Sequence, residues 1–149
     1  MARFEMQMPK EIMSDIKYIH DNSEEIFGAM TKAGAEVAQK RAISNAPNPK
    51  LKSHIKVSRT YKTPSDDGIN NKVYVNGYIP FTPPRKSFIR NGYVTEKGIP
   101  VDFIAKVYEY GRKGRPFPKR PFFRKSFNKS AIEAAMKSVQ SSKSGGLLK

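Results

Sequence analysis

The first third of the chain has the apolar spacing of α-helices. After Pro9, apolar residues recur at intervals of three and four, at Ile12, Met13, Ile16 and Ile19. This spacing predicts an amphipathic helix with a proline in its first turn. The polar residues 20–23 predict a break, after which Asn22 or Ser23 caps a second helix.

The second helix is predicted to carry its apolar side chains in one stripe, at Ile26, Met30, Ala33 and Val37. Gly28 and Gly34 lower the helix propensity but allow a neighbouring backbone to approach closely. The helix is expected to end near Ala46, because Pro47 and Pro49 cannot continue it.

Beyond residue 49 the apolar period changes from that of a helix to that of a strand. Residues 55–61 and 72–76 alternate between apolar and polar positions, and a turn-forming cluster at residues 63–68 separates them. The two segments predict an antiparallel hairpin. Residues 101–109 predict a third strand, with one face formed by Val101, Phe103, Ala105 and Val107.

Proline and glycine divide the rest of the chain. Residues 80–100, called the arm below, predict an extended loop or projecting hairpin that either closes on itself or reaches a neighbouring subunit. A last helix is predicted from Pro121 to Val139, followed by a flexible tail at residues 141–149. This order predicts one α+β domain over residues 1–140, in which a small antiparallel sheet of three to four strands packs against a long N-terminal helix and a C-terminal helix.

The charge is unevenly distributed along the chain. The formal net charge is +15, yet residues 1–46 hold six basic and seven acidic residues, which leaves 22 basic and six acidic residues in 47–149. A near-neutral packing module followed by a basic region favours a polyanion or an acidic protein as partner. Because no apolar run approaches the roughly 20 residues of a membrane span, we expect a soluble cytoplasmic protein that binds no membrane.

Residues suited to catalysis or metal binding are few. The chain has no Cys, which excludes disulfides and thiolate metal sites. His20 and His54 are the only histidines, and Asp66 and Asp67 beside Gly68 are more typical of a turn than of a cation site. The chain has no phosphate-binding glycine loop, zinc ligand set or nucleophile elbow. We expect no enzyme, and no bound cofactor or metal.

Two segments near the C-terminus resemble a known family. The first reads Tyr108-Glu109-Tyr110-Gly111, and after a basic, proline-containing linker the second reads Arg120-Pro121-Phe122-Phe123-Arg124-Lys125-Ser126-Phe127. This order is similar to the signature of head–tail joining proteins of tailed bacteriophages, also called neck, minor tail component or tail completion proteins. A weaker match is the helix that ends at Ala46 before Pro47 and Leu51. Lys50 departs from the family's usual Gly, the linker is longer than usual, and the arm resembles an insertion.

The resemblance implies a structural role in the virion. It implies a homo-oligomeric ring of six or twelve subunits, with six preferred, in the head–tail connector, assembled in the host cytoplasm. The implied partners are head-closure and tail terminator or tube proteins, with double-stranded DNA in the lumen. We expect inter-subunit or inter-ring contacts from Pro83, Arg85, Lys86, Phe88, Arg90, Glu109, Gly111, Arg120, Pro121 and Phe122. We expect contacts to DNA or an acidic partner from Arg112, Lys113, Arg115, Lys119 and Arg124.

Glu109 and Gly111 also have a direct physical interpretation. Glu109 is the only carboxylate between Asp102 and Glu133, and eight Lys or Arg follow it in residues 112–129. It either pairs with Arg120 or Arg124 and fixes the linker, or it is a solvated charge at the end of a strand. Gly111 is expected to need a positive φ or a close backbone contact.

Two other functions stay open at this point. Basic residues interleaved with Tyr110 and Phe117 are typical of sequence-independent nucleic-acid binding, as in a ribosomal or chromatin protein. A small nuclease toxin is a weaker alternative, and it would depend on His20, His54 or a carboxylate.

Overall fold

The computed structural model describes residues 9–65, 67–80, 97–112, 114 and 117–145. Its α-helices are α1 (Lys10–Asn45), α2 (Pro49–Lys52), α3 (Val101–Tyr110) and α4 (Lys129–Lys143), with a 3-10 turn at Arg124–Ser126. Its strands are β1 (Ile55–Val57), β2 (Tyr61–Thr63), β3 (Gly68–Asn70), β4 (Val73–Val75), β5 (Tyr78–Ile79) and β6 (Ile99–Pro100). The predicted α+β class is confirmed.

Helix α1 is continuous, so the predicted break at residues 20–23 is wrong. The side chains of Asn22 and Ser23 donate hydrogen bonds to the carbonyls of Tyr18 and His20, each at 2.9 Å, within the helix. These polar residues therefore bond back to the preceding turn instead of capping a new helix. The predicted end is correct, because α1 stops at Asn45 and Ala46 has extended backbone angles.

The predicted hairpin is present but interrupted. Strand β1 pairs antiparallel with β4, Ile55 opposite Val75, and β2 pairs antiparallel with β3, Tyr61 opposite Asn70. Residues 58–60 and 71–72 separate the two pairs. In the described part of the chain each sheet has two strands, rather than one sheet having three or four.

The segment predicted as a third strand is helix α3. Its buried residues, Val101, Ala105 and Glu109, are spaced by four, whereas Phe103 is exposed. Val101 and Ala105 fit both the alternation of a strand and the four-residue spacing of a helix. The apolar period alone therefore cannot assign so short a segment. Packing of one helical face against the core selects the helix.

Helix α4 begins eight residues later than predicted. The side chain of Asn128 accepts a hydrogen bond from the backbone N–H of Ala131 at 3.0 Å and so caps its N-terminus. The helix continues to Lys143, beyond Ser141, where the flexible tail was predicted to begin. It packs along α1 so closely that a Cβ on Gly34 would lie 3.0 Å from Ile132, but the atoms that approach this glycine belong to the side chains of Ile132 and Met136 and not, as predicted, to a neighbouring backbone.

The hydrophobic core lies under the C-terminal half of α1. Leu51, Val101 and Phe122 are almost fully buried there and pack against Ala42 and Ile55. Strand β5, which directly precedes the arm, pairs with β6 at the end of the arm, Ile79 opposite Ile99. Five predicted contact residues lie outside the described residues, namely Pro83, Arg85, Lys86, Phe88 and Arg90. None of the described helices combines the length and the apolarity that a membrane span requires.

Candidate functional site

The two segments of the family-like motif meet at the carboxylate of Glu109, in the last turn of α3. Oε2 accepts the backbone N–H groups of Phe122 at 3.0 Å and Phe123 at 3.1 Å. Oε1 accepts the backbone N–H of Arg124 at 3.2 Å and its Nε–H at 2.9 Å. We call this arrangement the Glu109 cap, because the carboxylate satisfies N–H groups at the start of the 3-10 turn.

Four donors explain how a carboxylate is tolerated in the interior. Glu109 is only 5% exposed, and a buried charge is costly unless it is paired and hydrogen-bonded. Burial raises the pKa of Glu109, but the hydrogen bonds from the Arg124 side chain and from the three backbone N–H groups outweigh burial and lower it below its usual value. The predicted pairing with Arg124 is therefore confirmed, and the alternative of a solvated charge at a strand end is wrong.

The linker, residues 111–120, leaves α3 and returns beside it. At its start, Gly111 has φ 81°, and its N–H donates to the carbonyl of Val107 at 2.8 Å. At its end, the N–H of Arg120 donates to the carbonyl of Tyr108 at 2.9 Å. A Cβ on Gly111 would also lie 3.2 Å from Cγ of Lys119, so this position favours glycine in conformation and in space, as predicted.

Aromatic rings anchor both sides of the cap. Phe122 is buried in the core, its ring 6.0 Å from that of Phe123, and Phe123 in turn lies 5.6 Å from Phe127. Across the linker, the rings of Tyr108 and Phe117 meet edge to face at 5.4 Å. Contacts of this kind fix ring orientation as well as burying area, so the linker is held by packing and by hydrogen bonds.

No family model matches the chain, and no curated protein or solved structure is significantly similar to it.

The cap holds a basic and aromatic surface toward solvent. Arg124 lies 5.2 Å above the ring of Tyr110, in cation–π geometry, and its side chain is 65% exposed. We call the exposed side chains of this region the linker surface: Tyr110, Arg112, Phe117, Lys119, Arg120, Arg124 and Phe127. Residues 110–129 contain eight basic residues and no acidic one. Aromatic residues and arginine are the types enriched in protein interfaces.

The other predicted contact residues divide between interior and surface. Glu109 and Phe122 have buried side chains, so in this chain they position the linker surface rather than form it. Pro121 is half-buried. Lys113 and Arg115 lie outside the described residues. Arg120 is exposed and is held through its backbone, so of the two predicted partners of Glu109 it is Arg124 that forms the ion pair.

Ser126, the residue beneath the cap, is not predicted by any pattern in the sequence. Ser126 is fully buried, donates its hydroxyl to the carbonyl of Phe122 and accepts from the side chain of Asn45 at 3.4 Å. It ties the 3-10 turn to the C-terminal end of α1. A serine four residues after Phe122 gives no signal of its own, because a hydroxyl in such a segment fits a solvated loop equally well.

The residues considered for catalysis are placed separately from the cap. His20 has an 85% exposed side chain with Asp21 at 3.6 Å, and Nδ1 of His54 lies 3.0 Å from the carbonyl of Asn76. Asp67 occupies a turn with φ 49°, as its neighbour Gly68 suggested, and Asp66 lies outside the described residues. Within the described ranges, no three His, Asp or Glu side chains cluster as metal ligands do.

Proposed function

We propose that this chain is a structural subunit of the head–tail connector ring of a tailed bacteriophage. The observation that carries the proposal is the Glu109 cap, because it joins the two segments on which the family resemblance depends. Tyr108–Gly111 contributes the carboxylate and the linker start, and the Arg-Pro-Phe-Phe-Arg segment contributes the donors. The motif therefore has a physical role, because its two segments hold the two ends of the exposed linker together.

A linker whose two ends are held by hydrogen bonds is well suited to binding another protein. A surface whose backbone is already fixed loses little conformational entropy when a partner binds. The hydrogen bonds of Gly111 and Arg120 hold the two ends of the linker, and the described residues of the linker surface add exposed aromatic rings and cations. In the connector we expect it to contact a neighbouring subunit or the acidic rim of a head-closure or tail terminator protein.

The net charge of +15 fits a subunit that surrounds DNA. A genome that passes along a central axis requires a closed ring, and identical head-to-tail contacts close with rotational symmetry. Basic residues turned toward the lumen would attract the phosphate backbone without reading sequence. We propose a hexamer in the virion with double-stranded DNA in its channel, and no catalysis.

The test is electron microscopy of the purified chain, alone and with its head-closure and tail terminator partners, with a matched pair of variants. Glu109→Gln removes the charge of the cap, whereas Asp102→Asn makes the same acid-to-amide change at an exposed position of α3. We expect rings from the native chain and from Asp102→Asn, and few rings from Glu109→Gln. A native chain that stays monomeric with all its partners would defeat the proposal.

Sequence-independent nucleic-acid binding is a second candidate, favoured by exposed Tyr110 and Phe117 among the cations of the linker surface. It predicts that the isolated monomer binds duplex DNA with an affinity that falls steeply as salt rises. Fluorescence anisotropy with labelled DNA at several salt concentrations measures this. Tight binding by a monomer that forms no rings would favour this candidate over the connector.

A further inference from the structure

The guanidinium group of Arg124 is held on two sides but not at its outer edge. Its Nε–H donates to Oε1 of Glu109 at 2.9 Å, and its central carbon lies 5.2 Å from the centre of the Tyr110 ring. Within the described part of the chain its terminal nitrogens, Nη1 and Nη2, form no hydrogen bond, and the side chain is 65% exposed. The protein therefore orients this group while four of its five N–H donors face solvent.

Glu109 has no acceptor site left for these donors. Oε2 accepts the backbone N–H groups of Phe122 and Phe123, and Oε1 accepts the backbone N–H and the Nε–H of Arg124. A carboxylate offers about four acceptor sites, so these four hydrogen bonds use them all. Arginine often binds a carboxylate through two parallel hydrogen bonds, but this pair uses a single N–H of the side chain. The edge formed by Nη1 and Nη2 is thus left for a second anion.

The exposed aromatic rings of the linker surface decide which class of anion fits. Residues 110–129 contain eight basic and no acidic residues, so Glu109 offsets only one of these charges and a further anion is attracted. Tyr110 is 61% and Phe127 is 50% exposed. Duplex DNA keeps its bases stacked inside the helix and presents phosphates and sugars, so it covers such rings poorly. A protein segment can bury the rings and also supply a carboxylate.

A different protein supplies that carboxylate better than another copy of this chain does. The chain has 28 basic and 13 acidic residues, so the net charges of two copies repel each other. Several acidic side chains of the described ranges are already paired with a lysine of the same chain, namely Glu24, Glu25, Asp102 and Glu133. The charge of the chain is therefore complementary to an acidic protein.

We infer that Arg124 binds a carboxylate of the adjoining head-closure or tail terminator protein through Nη1 and Nη2. This inference rests on the proposed connector function and names the residue with which the linker surface recognises its partner. Glu109 and Tyr110 are positioning residues, because they hold the guanidinium group in one orientation before the partner arrives. Two parallel hydrogen bonds to one carboxylate then form with little loss of side-chain entropy.

The test measures binding of the purified chain to its head-closure and tail terminator proteins by biolayer interferometry. Arg124→Lys keeps the charge but loses the two-nitrogen edge, and Arg59→Lys makes the same change at an exposed position outside the linker surface. We expect Arg124→Lys to bind one of the two proteins about tenfold or more weakly, and Arg59→Lys to bind like the native chain. Circular dichroism shows that each variant is folded, and electron microscopy of the same samples follows ring formation.

A second pair of variants tests the orientation of Arg124 without changing any charge. Tyr110→Leu removes the ring beside the guanidinium group, whereas Tyr110→Phe keeps it. We expect Tyr110→Leu to weaken binding about threefold and Tyr110→Phe to bind like the native chain. Equal binding by these two variants would show that the ring does not position Arg124.

The partner's carboxylate is found by changing each exposed acidic residue of the bound protein to its amide. One such change should weaken binding of the native chain about tenfold and have no further effect on Arg124→Lys, because the pair it would break is already absent. If none of the partner's acidic residues is coupled to Arg124 in this way, the inference is wrong.

Three further outcomes would overturn the inference while the connector function stands. Arg124→Lys could bind both proteins like the native chain. It could bind them and yet form no rings, which would assign Arg124 to a contact between copies. It could lose affinity for a labelled duplex DNA and for neither protein, which would assign Arg124 to a phosphate. A native chain that forms no rings and binds neither protein would overturn the connector function and the inference together.

Discussion

The Glu109 cap and the contact between α1 and α4 use charged residues in opposite ways. In the cap, one carboxylate is 5% exposed and accepts four hydrogen bonds. Between the two helices, Glu25 pairs with Lys143 at 2.7 Å, but their side chains are 67% and 47% exposed. The two helices pack closely at Gly34, where a Cβ would lie 3.0 Å from Ile132 and 3.2 Å from Met136.

The difference shows that burial, not the number of ion pairs, decides what a charge contributes. A surface ion pair gains little because water and salt screen it. A buried carboxylate that has lost its water depends fully on its protein donors, and those donors depend on it. The cap should therefore be sensitive to one change of charge, and the helix contact to one change of volume.

The largest effect is expected from Glu109→Gln. An amide keeps one oxygen and places an NH2 group at the other position, where its N–H groups face either the backbone donors of Phe122 and Phe123 or the two donors of Arg124. The variant should therefore lose about 3 kcal/mol of unfolding free energy, near the lower end for a broken buried pair because the Arg124 side chain is 65% exposed. Urea denaturation measures it. Asp102→Asn, the exposed control, should stay close to the native chain, and an equal loss in both variants would contradict the special role of burial.

Gly34→Val should have the next largest effect. A Cβ at this position would already lie 3.0 Å from Ile132 and 3.2 Å from Met136, so the larger side chain must push α4 away from α1. We expect a loss of about 2 kcal/mol, the usual cost of overpacking. Lys32→Val places the same side chain at an exposed position of α1 and is the control. If the two variants are equally stable, close approach at Gly34 does not hold the helices.

A smaller effect is expected from acid. The pKa of Glu109 in the folded chain lies below its ordinary value of 4.5, so the cap stabilises the fold above that pH and loses its contribution as pH falls through the folded pKa. The stability difference between the native chain and Glu109→Gln should therefore shrink as pH is lowered from 7 to 3. Denaturation midpoints at several pH values measure this, and a difference that grows in acid would refute the assigned charge state.

The smallest effect is expected from Glu25→Gln. The hydrogen bond and the charge of Lys143 lower the pKa of Glu25, but both side chains are open to solvent. We expect no change in the denaturation midpoint at physiological salt and a slight decrease at low salt. Should this variant lose as much stability as Glu109→Gln, the contrast between the two regions would disappear.

Local chemistry made much of the fold predictable. The proline pair after Ala46 ends α1, and the turn residues before Gly68 place the hairpin. The tertiary context accounts for the errors. The alternation at residues 101–109 is compatible with a strand. The segment is a helix in the structure, and Val101, Ala105 and Glu109 are buried on one helical face. Helix α4 starts at Lys129 and not at the predicted Pro121, because the turn at residues 124–126 is interrupted by the non-helical backbone of Phe127, after which Asn128 caps the helix.

The candidate site was predictable in its chemistry but not in its geometry. A lone carboxylate before eight basic residues indicated an ion pair, and Arg124 was one of two predicted partners. The choice between Arg120 and Arg124 depends on the path of the linker, which residue spacing does not determine. The three backbone donors left no trace in the sequence, because any residue supplies an N–H.

The two ends of the linker are anchored close together, so the linker can change in length and sequence during evolution. The linker leaves at Gly111 and returns at Arg120, which bonds to Tyr108, so its two ends are fixed to the same turn of α3. Doubling the length of a loop held in this way costs only about 0.6 kcal/mol in closure entropy. Insertions and substitutions between these ends can therefore accumulate without moving either helix. The sequence between Gly111 and Arg120 can be exchanged in evolution while the helices that hold its two ends stay the same.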